Sequence, residues 1–299
     1  MSAFIDEHRA RFGVEPICRE IEVSASAYRA RRRRRPSARA VRDAKLVGQI
    51  RRVHAKAFEI YGQWKTWQQL QREGIHVARC TVERLMREQG ITGVCKGKTC
   101  RTTIPGLAPV PADDLVRRNF TARRPDELWL ADFTYIRTHE GWSYLAIVLD
   151  VYTRRIVGWK LARHMRQSLV SDAFEMALAG RQEYEDEGGT IAHSDHGSQY
   201  TSYEYTKRLV EAGIVPSRGR IGTALDNAMA ESVISTIKTE LTKRTPWKTQ
   251  LQLELALVTY IGWYNADRLH RAFKGRTPLE VLDEYNEQQA AARVTVAST

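Results

Sequence analysis

The sequence predicts a three-layer α/β core built on a mixed sheet, with basic helical units before it and a helical extension after it. Three observations predict this. Residues 128–161 carry three apolar, strand-like runs joined by tight turns. Residues 168–243 then alternate helical and strand-like patterns, the order of a mixed sheet covered by helices. Residues 4–90 and 244–285 show only helical spacing.

The chain has 299 residues, enough for several domains and a full core. Its formal net charge of +12 favours a polyanionic partner, nucleic acid before an anionic membrane surface. No long amphipathic basic helix with an aromatic face supports the membrane alternative. No apolar run approaches the length of a membrane span, and the start MSAFIDEHRARF is too charged for a signal peptide. A cytoplasmic protein is expected. The four cysteines, Cys18, Cys80, Cys95 and Cys100, form no CxxC pair. A zinc set of His76, Cys80, Cys95 and Cys100 fits no standard spacing, so reduced structural thiols are expected.

The elements follow in order. In the first unit, 1–37, Phe4, Ile5, His8 and Phe12 form one helical face, and Val14, Ile17, Cys18 and Ile21 form another. A turn at 22–24 precedes a last helix capped by Ser24, the outline of a helix-turn-helix. That helix runs into Arg31, Arg32, Arg33, Arg34 and Arg35 before Pro36 stops it. A charge run alone reads as a solvated tail; beside a helix-turn-helix, phosphate contact is the better reading. In the second unit, 38–95, Val41, Leu46, Val47, Ile50 and Val53 mark one helix, and Trp64, Trp67 and Leu70 a second. Thr81, Val82, Leu85 and Met86 line a third, with Arg79, Arg84 and Arg87 on its outer side, as a recognition helix would have them. Residues 96–125 form a basic, proline-bearing linker.

The core, 126–243, starts with strands at 128–137, 144–152 and 155–161. A helix at 168–179 follows, with Leu169, Ala173, Met176 and Ala177 inside. A fourth strand at 190–195 leads to a helix capped by Ser202, with Tyr205, Leu209 and Val210 on its buried face. A fifth strand at 214–216 precedes a helix capped by Asn227 or Asp226. Trp142, Trp159 and Trp263 are expected in the core. The extension, 244–299, holds one packed helix with Leu251, Leu255, Val258, Ile261 and Trp263. A basic loop follows, with Arg268 and His270 as candidates for contact with DNA, then a helix from Pro278 to Tyr285, and a frayed tail from Gln288.

Three carboxylates carry the chemistry. Asp132 sits inside a strand, where an acid is rare unless something pairs it. Asp195 ends the fourth strand, and Glu231 lies on the last core helix, with 35 residues between the two. Alone, Asp195 reads as a turn residue and Glu231 as a solvated helix residue. Together the three suit divalent cations, which take oxygen ligands and act in pairs on phosphodiesters. Asp226 reads as a cap and His193 as a packed neighbour rather than a ligand; His196 is a loose candidate for substrate contact. Asn227 and Ser198 shape the loop and the strand end.

These residues resemble a family. W-x-x-D-F-T-Y-I-R-T, G-W-x-Y-L-A-I-V-L-D, R-R-I-V-G-W, H-S-D-x-G-S-Q-Y-T-S and D-N-A-x-x-E-S look like the integrase-type transposases of bacterial insertion sequences, closest to the OrfB-type product of the IS-three family. The resemblance covers nearly the whole chain, including Trp263, Tyr264, Asn265, Arg268, His270 and Pro278. It implies a ribonuclease-H-like core shared with retroviral integrases. Asp132, Asp195 and Glu231 would hold two Mg²⁺ or Mn²⁺ ions, and Lys238, seven residues beyond Glu231, would contact DNA. The implied activity is cleavage and transfer of DNA strands. The implied partners are double-stranded DNA (the element's terminal inverted repeats and a target), further copies of the chain in at least a dimer, and the first-frame product OrfA. The implied location is the bacterial nucleoid. Two departures stand out: Trp64 where the family often has Arg, and a 22–24 turn without the usual Gly. The alternatives are a silent DNA-binding regulator derived from a transposase, and a nuclease acting on RNA–DNA hybrids.

Overall fold

The structure is a computed structural model that describes residues 2–97, 115–116, 119–182, 189–194, 203–218 and 227–297. The first unit is three short helices, α1 (Ser2–Phe12), α2 (Val14–Glu20) and α3 (Ala25–Arg33). Ser24 caps α3, its hydroxyl accepting from the Ala27 amide at 3.3 Å. Its small core is Ile5, Ile17, Cys18 and Tyr28. Phe4 and Phe12, which the spacing puts on one face with Ile5, lie about half exposed. So small a unit offers α1 only a narrow contact line, which Ile5 fills.

The second unit is α4 (Ala38–Lys56), α5 (Gln63–Arg72) and α6 (Arg79–Glu88). Leu46, Ile50, Val53, Leu70, Val82, Leu85 and Met86 are buried, while Val41 is exposed near the free end of α4. Gly74 turns the chain at φ 75°, a conformation that favours glycine. The Gly62 backbone lies so close to Gly93 that a Cβ on Gly93 would meet the Gly62 nitrogen at 2.3 Å.

The core sheet has five strands: β1 (Leu128–Thr138), β2 (Gly141–Asp150), β3 (Ile156–Ala162), β4 (Thr190–Ser194) and β5 (Ile214–Arg218). Their order is β3-β2-β1-β4-β5. The first three are antiparallel, and β4 and β5 join in parallel. Helices α7 (Gln167–Ala179) and α8 (Tyr203–Glu211) pack on the sheet, as does α9 (Ala228–Ile237). Alternation along the strands splits the core. Trp129, Ala131, Ala146 and Val148 face α7; Leu128, Leu130, Leu145 and Ile147 join the cluster that includes α9. The architecture is therefore the mixed-sheet, three-layer one that the sequence predicts.

Several side chains differ from expectation. Met176 points out of α7, which buries Leu169, Val170, Ala173, Phe174 and Ala177 instead. This helix presses its backbone onto β3, where a Cβ on Gly158 would meet the Ala173 carbonyl oxygen at 2.0 Å. Val210 and Trp142 are exposed, Trp142 as the second residue of β2. At the other end of β2 the carboxylate of Asp150 is fully buried. It accepts from the Asp126 amide at 3.1 Å and the Thr153 amide at 2.8 Å, and also from the Thr153 hydroxyl. Burial pushes Asp150 up to about 6, and the charge of Asp126 adds to the rise against the pull of the Thr153 hydrogen bonds.

The extension consists of α10 (Gln250–Ala266), a 3₁₀ turn (Arg271–Phe273) and α11 (Pro278–Ala297). Helix α10 is apolar nearly all round. It buries Leu253, Leu257, Tyr260, Ile261 and Tyr264, whereas Leu251, Leu255 and Val258 sit on the opposite face and are exposed. Helix α11 continues to Ala297, past both Tyr285 and the tail expected to fray from Gln288. One hydrophobic cluster joins α4–α6, α9, α10 and the sheet, and includes Tyr61, Trp247 and Trp263.

Candidate functional site

Asp132 lies on the central strand β1, one residue beyond the last described β1–β4 pair, Ala131 with Ser194. Its Oδ1 accepts from the Phe133 amide at 2.8 Å. Glu231 is in the first turn of α9, solvent-exposed, where a negative charge suits the helix dipole. Asn227 couples the two. It holds the N-cap position of α9 without capping through its side chain. Its Nδ2 instead donates to the Ala131 carbonyl at 2.9 Å, one residue before Asp132. The helix start bearing Glu231 is thereby tied to the strand bearing Asp132. The buried Oδ1 of Asn227 has no hydrogen-bond partner among the described residues. From the linker side, the Lys96 amine reaches the Ser232 carbonyl at 3.0 Å, next to Glu231. On β4, His193 is buried, with Nδ1 at 3.0 Å from the Ser217 hydroxyl and its ring edge-on to Phe120. Asp195, His196, Ser198, Ser202 and Asp226 lie outside the described residues.

Beyond Ile237 the helix widens into a π-helical turn, Lys238–Thr242, of the kind often found at functional sites. Lys238 is half-buried. Burial and the charge of Lys243 lower its pKa, while the negative charge of Asp132 raises it. Lys238 is therefore electrostatically coupled to the strand acid, and its amine lies 5.1 Å from the centre of the Tyr135 ring.

Comparison with known proteins gives a consistent answer. Residues 122–224 match the family described as "Integrase core domain", residues 212–278 match a second family of that description, and residues 41–99 match "HTH-like domain". The transposase for insertion sequence element IS629 of Shigella sonnei is 44% identical over 290 residues, covering 95% of this chain and 96% of its own. This chain belongs to the IS-three family of integrase-type, OrfB-type insertion-sequence transposases. A putative transposase for element IS986/IS6110 of Mycobacterium tuberculosis is likewise 44% identical over 270 residues, 89% of this chain and 97% of its own. Among solved structures, the HTLV-2 integrase catalytic core domain in complex with magnesium overlays with TM-score 0.43 at 15% identity, covering 54% of this chain and 99% of that one.

The transposase's remaining site candidates lie elsewhere. Arg31, Arg32, Arg33, Arg34 and Arg35 are all exposed at the end of α3 and just after it. Arg79 is exposed at the start of α6, but its two neighbours are engaged within the protein. Arg84 turns back to α4, meeting Asp43 at 2.8 Å and Glu88 at 3.0 Å, and Arg87 meets Glu83 at 3.3 Å. Arg268 and His270 correct the expectation of a basic, solvent-facing loop: both are inside. The Arg268 guanidinium grips Glu240 with Nε at 2.8 Å and a terminal nitrogen at 2.5 Å, and the Tyr260 hydroxyl donates to the same carboxylate at 2.7 Å. Burial would push Glu240 up, but the hydrogen bonds and charge of Arg268, helped by Lys65, hold it below the usual range. Burial, reinforced by the Arg268 charge, keeps His270 neutral. Lys65, from α5, is lowered to about 7 by burial and by Arg268 against the pull of Glu240.

Sequence reasoning missed this group. Glu240 reads as one more helix acid, with only Ile234, Ile237 and Leu241 at helical spacing around it to hint at burial. It missed Asp126 and Asp150 for the same reason: single acids at strand ends look like turn residues.

Proposed function

We propose that this transposase cleaves and joins DNA strands, using Asp132, Asp195 and Glu231 to hold two Mg²⁺ or Mn²⁺ ions against the reacting phosphodiester. The observation that carries this reading is the Asn227–Ala131 hydrogen bond, which ties the helix start of Glu231 to the strand of Asp132. Asp132 stands on β1 one residue past the last described pair of the parallel β1–β4 ladder, Ala131 with Ser194. The donor set suits the group. Carboxylate oxygens are hard ligands, and the Asn227 Oδ1, without a hydrogen-bond partner among the described residues, offers a neutral oxygen beside them. Bound there, divalent cations would stabilise charge on the attacking and leaving oxygens.

The chain's own groups do the rest. Asp132 and Glu231 come from rigid elements, so their spacing is preset before DNA arrives. Lys238 offers a cation beside Asp132 for a phosphate oxygen. No side chain is needed as nucleophile: water attacks in cleavage and a DNA 3′-hydroxyl in transfer. The helical units 1–37 and 38–95 bind the element's terminal repeats through Arg31–Arg35 and Arg79, the core 126–243 acts on them, and paired ends call for at least a dimer. OrfA is a further partner on this reading. The test is strand transfer on an end-bearing oligonucleotide with Mg²⁺. Wild type should join strands and Asp132→Asn should not; equal activity in the two would overturn the proposal. Tight end binding without turnover under any divalent metal would favour the silent-regulator alternative.

A further inference from the structure

Three residues along β1 from Asp132, two large aromatic rings face solvent together. Tyr135 is 58% exposed and Trp142 is 46% exposed. Their rings meet edge to face, 5.2 Å between centres. They are not scattered surface residues. Arg137 and Trp142 are cross-strand partners on β1 and β2, and Tyr135 is one diagonal away. Each ring carries a cation: the Arg137 guanidinium lies 5.0 Å from the centre of Trp142, and the Lys238 amine 5.1 Å from Tyr135. No hydrophobic cluster of the described residues includes either ring.

Aromatic rings interleaved with cations are the chemistry of single-stranded nucleic-acid binding: bases stack on the rings and phosphates meet the charges. Tyr, Trp and Arg also suit protein interfaces, but here both rings are topped by positive groups in a chain of net charge +12, which favours a polyanion. The location is specific as well. The backbones of Tyr135 and Asp132 are about 10 Å apart along β1 on alternating positions, and Lys238 links the two: its amine lies 5.1 Å from the Tyr135 ring and it feels the charge of Asp132.

We infer that Tyr135 and Trp142 form a stacking platform for an unpaired base of the strand engaged at Asp132, with Arg137 and Lys238 moving to its flanking phosphates. The inference rests on the strand-cleaving reading, which explains why an unpaired base would occur there. The platform would hold the strand end in place by gripping a base beside the cut.

The test needs no catalysis. Full-length protein is titrated, in EDTA, into a duplex with a short single-stranded overhang and into the blunt duplex of the same sequence. Both carry 2-aminopurine at the junction. Wild type should prefer the overhang and quench its fluorescence. Tyr135→Ala and Trp142→Ala should each lose about tenfold in overhang affinity, with blunt-duplex affinity and melting temperature unchanged. Trp142→Phe should restore most of the loss. Equal weakening on both duplexes, or none on either, would overturn the platform. So would unchanged overhang affinity with a shift from dimer to monomer in sedimentation, which would make the rings an interface between copies. A wild type that prefers the overhang through these rings but never joins strands would leave the platform standing and remove the catalytic reading.

Discussion

Replacing Arg268 by alanine should unfold the protein more than it weakens DNA binding. The guanidinium side chain is 11% exposed and its partner Glu240 9% exposed. Two charged hydrogen bonds, at 2.8 and 2.5 Å, would vanish and leave a buried carboxylate with the Tyr260 hydroxyl alone at hydrogen-bonding distance. Removing one member of a buried pair costs about 3–5 kcal/mol, and the nearby positive charge of Lys65 sets the expectation at the lower end, about 3 kcal/mol. For a chain of 299 residues that is about 5 °C in melting temperature. The loss should be full at neutral pH. Glu240 has a lowered pKa, so the stability it contributes is present above the ordinary glutamate range and fades as pH falls through the folded value. The double variant Glu240→Gln with Arg268→Met should recover most of the loss, because no charge is then left buried. Urea and thermal melts measure the cycle, and the salt dependence of DNA binding is measured on the same proteins. A phosphate-contacting arginine would behave in the opposite way. A single variant within about 1 kcal/mol of wild type, with the salt slope reduced by about one, would refute the interior assignment.

Three more outcomes follow from the geometry. Gly158→Ala drives a methyl group into the Ala173 carbonyl, so α7 must shift off β3; a loss of about 1–3 kcal/mol is expected in denaturant melts, against little for the open position Gly48→Ala. Asp150 is raised to about 6, so its contribution is full below the ordinary aspartate value near 3.8 and is lost as pH rises through 6. The stability difference between wild type and Asp150→Asn should therefore move in favour of wild type by up to about 3 kcal/mol from pH 7 to pH 4, and a pH-independent difference would contradict it. Replacing Arg31–Arg35 by glutamine should flatten the salt dependence of DNA binding, by about 0.9 in log–log slope for each phosphate contact removed; an unchanged slope would mean that these exposed charges touch no phosphate.

The fold was readable because period and punctuation agreed. The three-strand meander announced itself by apolar runs split at His139-Glu140-Gly141 and Thr153-Arg154, and Ser24 marked its helix as its hydroxyl chemistry requires. Faces were less readable than elements. Met176, Leu251, Leu255 and Val258 are apolar on helices that are apolar nearly all round, so spacing alone does not say which side meets the sheet. Of the candidate site, Asp132 and Glu231 stood out as acids in places that acids avoid or decorate. Arg268 and His270 were misread because composition marks a loop as basic without revealing a buried acid 28 residues earlier in the chain. Asn227 was expected to cap, yet its amide went to the neighbouring strand, a choice only tertiary packing determines.

The continuous hydrophobic cluster running from α4–α6 through Tyr61 and Trp263 to the sheet has a geometric consequence. A module that shares its interior with the core domain cannot pivot without breaking that interior. The offset between α6 and Asp132 is then a fixed length, and on the proposed strand-cleaving reading a segment recognised by α6 would lie at a set number of base pairs from the phosphate engaged at Asp132. The α1–α3 unit, with its own separate core, does not share that interior and is not held by it.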